Sequence, residues 1–358
     1  MSQVTVCGTL SKGWLAKALG VKFDRDYYFN PNRRHEIDCR CNQYAAEQFP
    51  DMRLFYSESN LGQIDHWDPN QVLIGGIQPN MILGMLLGAG FIPQDCGDAD
   101  IAATCLAGKD VRDLPKPARL LDHKLVKLFD EQIRQMQQDS ARGLRPIPPF
   151  FWDASGRATI HGVLTTAQKF LGETVFLDMM TEPERCSGIM DWIADACIVL
   201  CRHFSQSANL PITGVHVGEC SSCVVSPQLI ERFVVPATSK LGRRLGPIRF
   251  HSCGPSTNHL EAFAKIENLY SLDLGGDTSV SRARELFGKK MLLSISPSPH
   301  DLSAQTADPI LSWARRIVAE NGEGNLAFAY HFEADYNTDT IYALTDYVKG
   351  LPDFKDTC

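Results

Sequence analysis

The chain has little of what would mark a membrane, secreted or nucleic-acid-binding protein. No apolar run comes near the roughly 18–20 residues of a transmembrane helix. The longest, Met81 to Ile92, is interrupted by three glycines. No basic segment followed by an apolar one opens the chain, so no export signal is read and a cytoplasmic location is expected. There is no long Lys/Arg run, and the formal net charge is −7, which leaves no basic footprint for nucleic acid. No Gly-x-Gly-x-x-Gly follows an early strand, which argues against a dinucleotide-binding fold. Cys220-x-x-Cys223 has no second Cys-x-x-Cys at zinc-ribbon spacing, so a structural ribbon is excluded and packing is the simpler expectation for that pair.

What is present is ample core material: 358 residues, 44% of them hydrophobic and 22% charged. Twelve cysteines without an export signal point to reduced thiols, metal ligands or small buried side chains, not disulfides. The second half alternates short apolar strands with helical periods. Strands are expected over 213–217, Ile248–Phe250, Leu269–Leu272, Lys290–Ile295 and Leu326–Tyr330. Helices are expected over Pro227–Leu245, near Val280–Phe287, and over Asp308–Glu320 and Thr338–Lys349. Met52–Tyr56, Gln71–Ile74 and Pro149–Trp152 complete eight strands. Such alternation calls for a parallel sheet. Eight strands favour a (β/α)8 TIM barrel over residues 51–358, with residues 1–50 as an irregular, partly helical N-terminal extension.

In a parallel barrel the working side chains sit where strands end. Glu219, His251, Cys253, Asp273, Asp277, His331 and Glu333 all fall at such ends. His251-x-Cys253 is the sharpest local signal, because residues two apart on a strand point the same way. An imidazole and a thiolate together suit zinc, which takes N and S ligands tetrahedrally. Trp152 and Asp153 end another strand and can shape a substrate pocket, with His161 near the same mouth. The aromatic segment Asp26 to Pro31, including Tyr28, can cover the site or staple the extension to the barrel.

Several stretches resemble the uroporphyrinogen decarboxylase superfamily, and within it the zinc-dependent corrinoid methyltransferases. These are Gly162 to Ala167, Gly172 to Glu184, Ser226-Pro227-Gln228, Phe250 to Gly254, and Leu272 to Gly275. The likeness covers roughly residues 145–350. It implies a catalytic zinc, a small-molecule methyl donor and a separate corrinoid-binding protein as partner. A homodimer is allowed for. Members of that branch that methylate coenzyme M use a His-x-Cys pair and a distant third cysteine. His251 and Cys253 match the pair. The matching later strand end carries His331 and Glu333 instead of cysteine. The resemblance therefore implies zinc held by His251, Cys253 and His331 (alternatively Glu333), with Glu219 as a further ligand and catalytic carboxylate. Asp273 is expected to orient a ligand histidine or a substrate hydroxyl.

A donor set rich in imidazole and carboxylate is a hard Lewis acid and suits an oxygen ligand. On that ground the expected reaction is cleavage of a methyl ether, with the methyl passing to a corrinoid. Methyl transfer from methylcobamide to a thiol is the alternative. A metal-free porphyrinogen-type decarboxylase fits less well, since Arg33-Arg34-His35-Glu36 does not resemble the arginine pattern of that branch. A non-catalytic scaffold is the remaining class.

Overall fold

The computed structural model describes residues 3–52, 54–55, 68–139 and 143–355. Its strands are β1 (Val4–Leu10), β2 (Leu54–Phe55), β3 (Gln71–Leu73), β4 (Phe91–Ile92), β5 (Asp100–Ile101) and β6 (Arg145–Ile147). They continue with β7 (Arg157–His161), β8 (Gly214–Gly218), β9 (Ile248–Ser252), β10 (Leu269–Gly275), β11 (Leu292–Ser296) and β12 (Leu326–Phe332). The main sheet runs β2-β1-β12-β11-β10-β9-β8-β7, with every pair parallel. Seven of its strands have five to seven residues, and β2 at one edge has two. The sheet curls into a half-barrel. Among the described residues its edges, β2 and β7, are not paired with each other. Of the expected (β/α)8 ring, the described residues form a curled parallel half-barrel.

The five later strands form where the periodicity placed them. The early ones differ. Val4–Leu10 is a strand inside the sheet, between β12 and β2, where an irregular extension was expected. Gln71–Leu73 is a strand but pairs with β6 in a separate two-stranded ribbon. Pro149–Trp152 is not a strand. The chain turns there, with Phe150 at a φ of 69°, and Arg157–His161 takes its place in the sheet.

Helices Val163–Leu171 and Pro183–Ser207 cross from β7 to β8, and Val235–Leu245 from β8 to β9. A π-helical turn, Ile230–Val234, precedes the latter. Pro236 explains it, since a proline has no N–H to continue the ladder. Among the described residues no helix is long and apolar enough to cross a membrane.

Strand alternation separates the two faces of the sheet. Ala158, Ile160, Val215, Val217, Phe250, Leu272, Leu274, Leu293 and Ile295 are buried and belong to one apolar core. The intervening Thr159, His161, His216, Arg249, His251 and Asp273 line a cavity on the other face. One face thus supplies burial energy and the other holds chemistry.

Candidate metal centre

The cavity has a volume of about 220 Å³. Its wall is built in register: Thr159 lies beside His216 and His216 beside Arg249, while Gly218 lies beside His251 and His251 beside Asp273. Trp152, Gln78, Cys220 and His331 complete most of it.

The structure brings His251 and Cys253 together and adds Cys220, whose donor atoms all lie within 4.8 Å of one another. Cys220 follows β8 in a short 3-10 turn, Cys220–Val224. Cys253 stands just past the end of β9 and is exposed. Ligands about 2.0–2.3 Å from a tetrahedral zinc lie about 3.3–3.8 Å apart, so small rotamer changes would seat the ion. Three protein donors would leave the fourth position for a substrate.

Asp273 fixes the imidazole. Its Oδ2 stands 3.0 Å from His251 Nδ1 and 3.0 Å from Arg249 Nη2. A carboxylate on Nδ1 directs Nε2 toward a metal, the usual support for a ligating histidine. Burial opposes charge on Asp273, but Arg249 and His251 outweigh it and hold the carboxyl well below its ordinary range. Burial likewise opposes charge on His251, yet Asp273 and then Cys253 lift it to about 9. Hydrogen bonding from Cys220, then from His251, brings the Cys253 thiol down to about 4. Its hydrogen bond to Cys253, together with burial, drives the Cys220 thiol upward. The hydrogen bond between the two sulfurs thus favours the thiolate on Cys253 and the thiol on Cys220.

The other expected ligands are placed differently. Glu219 is fully buried, but its carboxylate faces the start of helix Val163–Leu171. Oε1 accepts from Thr165 N at 2.7 Å and Thr165 Oγ1 at 2.8 Å, and Oε2 accepts from Leu164 N at 3.2 Å. Burial pushes this carboxyl up to about 7, against those hydrogen bonds. The assignment of Glu219 to metal is replaced by a capping role. His331 lines the cavity but lies outside the close triad. Its Nδ1 is hydrogen-bonded to Thr9 Oγ1 at 2.8 Å. Burial lowers its pKa, favouring the neutral imidazole. Glu333 does not line the cavity.

Replacing His331 by asparagine is accordingly expected to leave metal content unchanged, within about 10% of wild type by mass-spectrometric metal analysis. Loss of half the metal or more would return His331 to the ligand set.

Of the expected substrate residues, Trp152 lines the cavity. Asp153 does not. Its Oδ1 accepts from Ser155 N at 2.7 Å and shapes the turn before β7. Tyr28 is buried in an aromatic cluster with Tyr27 and Phe91, and its hydroxyl accepts from Ala99 N at 3.3 Å. It is a staple and not a lid. Sequence reasoning set Cys220 aside, because its Cys-x-x-Cys was weighed as a pair and read as packing. The available signal was its position one residue after Glu219, at the strand end next to that of His251.

No family model matches the sequence, and no curated protein matches it. Among solved structures, a methyltransferase from Methanosarcina mazei superposes with a TM-score of 0.65 at 13% identity, over 98% of this chain and 95% of that one. A B12-independent methionine synthase from Shewanella sp. W3-18-1, in complex with selenomethionine, gives a TM-score of 0.45 at 7% identity, over 97% of each chain. At 13% identity the first match establishes a shared fold.

Proposed function

We propose that this chain is a zinc-dependent methyltransferase whose methyl acceptor is a thiol and whose methyl donor is a corrinoid carried by a partner protein. The observation that carries this reading is the convergence of Cys220, His251 and Cys253 on one cavity wall. Two sulfurs and one nitrogen suit zinc among common metals. They also make a softer centre than the imidazole-and-carboxylate set that favoured an ether, so a sulfur ligand is preferred at the fourth position. The corrinoid and its carrier rest on the family resemblance over residues 145–350, and methyl transfer in general is in keeping with the fold shared with the Methanosarcina methyltransferase. Closure of the half-barrel into a full ring belongs to the same proposal.

Bound zinc would hold the substrate sulfur as a thiolate at neutral pH. The protein's own residues supply the rest. Asp273 and Arg249 keep His251 in one orientation. His331, held on Nδ1 by Thr9, presents a neutral imidazole on the same wall to take the thiol proton. The S–CH3 bond would form as the donor's methyl–cobalt bond breaks, the electron pair leaving with the partner's corrinoid, and the polar wall has no covalent part to play.

The test is a metal analysis paired with an acceptor assay. About one zinc per chain is expected, with thiol methylation from free methylcobalamin that stops on chelation and returns with zinc. Ether cleavage without thiol methylation would restore the oxygen-ligand reading. Full activity in metal-free protein would end both.

A further inference from the structure

The backbone ladder between β8 and β9 stops short of two of the three donors. Its pairing ends at Gly218 beside His251, and a last backbone bond runs from Glu219 N to His251 O at 2.8 Å. Cys220 and Cys253 both lie beyond it, and each is anchored to a different neighbour. Ser221 N, next to Cys220, donates to Thr165 Oγ1 at 3.0 Å on helix Val163–Leu171. Ser252, next to Cys253, pairs instead with Leu274 of β10. Two sulfurs that must each stand about 2.3 Å from one zinc therefore sit on segments with separate supports.

A chain of hydroxyls joins those supports. Ser222, in the Cys220 turn, donates to Glu219 O at 2.7 Å and lies 3.2 Å from Ser252 Oγ. Ser252 Oγ is 2.9 Å from Ser256 Oγ, which stands 3.0 Å from Gly254 O. All three serines are fully buried. Strand alternation puts Ser252 on the face opposite His251, with the core residues Ile248 and Phe250, so it does not touch the ion. A hydroxyl buried there costs free energy unless it is paired. The three hydroxyl hydrogens suffice for one continuous run, from Ser256 to Ser252 to Ser222 to the Glu219 carbonyl. That carbonyl belongs to the peptide group leading into Cys220. The far end of the turn is tied separately, His259 Nε2 donating to Val225 O at 3.0 Å, so the hydroxyl chain acts on the ligand end.

We infer that Ser252 is a positioning residue of the metal centre: clasped between Ser222 and Ser256, it holds the Cys220 turn and the Cys253 loop at the spacing both sulfurs need to reach one ion. The inference rests on the metal reading above and adds what keeps its two sulfur donors in place. Partners that orient metal ligands govern about 10–100-fold in metal affinity.

Cobalt(II) titrated into metal-free protein tests it, because the sulfur-to-cobalt absorption band reports both the affinity and the thiolates bound. Ser252→Ala is expected to weaken cobalt binding about tenfold or more, with the band at saturation unchanged. Ser222→Ala cuts the same link from the other side and should do the same, and the double variant should lose no more than either single one. Ser239→Ala is the control. It removes another buried hydroxyl, one that accepts from Glu267 N at 3.1 Å. It should lower the urea midpoint of the metal-free protein to a similar extent and leave cobalt affinity unmoved. Cobalt affinity within about twofold of wild type in both clasp variants, losses that add in the double variant, or an equal loss in Ser239→Ala overturns the clasp alone. Wild-type protein that gives no sulfur-to-cobalt band overturns the metal reading, and the inference with it.

Discussion

Replacing Cys220 by alanine is expected to weaken zinc binding by more than about 100-fold and to abolish methyl transfer, while Cys223→Ala changes neither. Loss of a mere orienting partner costs about 10–100-fold in metal affinity, and removal of a donor atom should exceed that. The comparison is informative because both cysteines belong to one Cys-x-x-Cys and lie in one short turn. Only Cys220 joins His251 and Cys253 in the close triad. Cys223 instead places its Sγ 3.0 Å from the Cys220 carbonyl, and a Cβ on Gly254 would meet that sulfur at 2.9 Å. It is a packing residue against the loop that carries Cys253. The half-buried position of Cys220 makes a large folding defect unexpected, which circular dichroism checks. Retained zinc in Cys220→Ala, or lost zinc in Cys223→Ala, would dismantle the assignment.

The same turn shows where sequence reading reaches and where it stops. His251 and Cys253 were legible because a two-residue period on a strand fixes relative direction, whatever the rest of the fold does. Asp273 was legible as their support because β10 is the next strand in order and its end is level with β9. The third donor depended on how far the chain travels after a strand ends. Glu219 and Cys220 are adjacent, yet one turns toward a helix start and the other toward His251 and Cys253, and periodicity does not choose between them. His331 was half legible: its strand ends on the cavity, but the β1 hydroxyl of Thr9 that occupies its Nδ1 comes from a segment read as an irregular cap. That segment hid its strand because Val4–Leu10 is buried at every position, without the alternation that marks a half-exposed strand. Phe150 and Gly156, both at positive φ, fold 149–156 into a turn, which an apolar run alone does not reveal.

Glu219→Ala should destabilise the protein by about 3–5 kcal/mol, yet leave zinc content per folded chain at the wild-type level. The reason lies in the helix it serves. Helix Val163–Leu171 begins at Gly162, which has no side chain to cap it, and its first N–H groups lack partners within the helix. The Glu219 carboxylate reaches across from the end of β8 and accepts from Leu164 and Thr165 in their place. A negative charge at a helix start is favourable and a charge-assisted hydrogen bond is worth roughly twice a neutral one, a gain that burial offsets in part by pushing the Glu219 carboxyl up to about 7. Alanine would leave buried donors unsatisfied, at about 1–3 kcal/mol each. Glutamine keeps the shape and one acceptor, so Glu219→Gln should cost only about 1–2 kcal/mol. Gly162 is bound to the same arrangement, because a Cβ there would fall on the Glu219 carboxylate. Urea unfolding of the three proteins, with zinc measured on the folded fraction, separates a cap from a ligand. Stability near wild type with zinc lost from Glu219→Gln would mean that the carboxylate serves the metal after all.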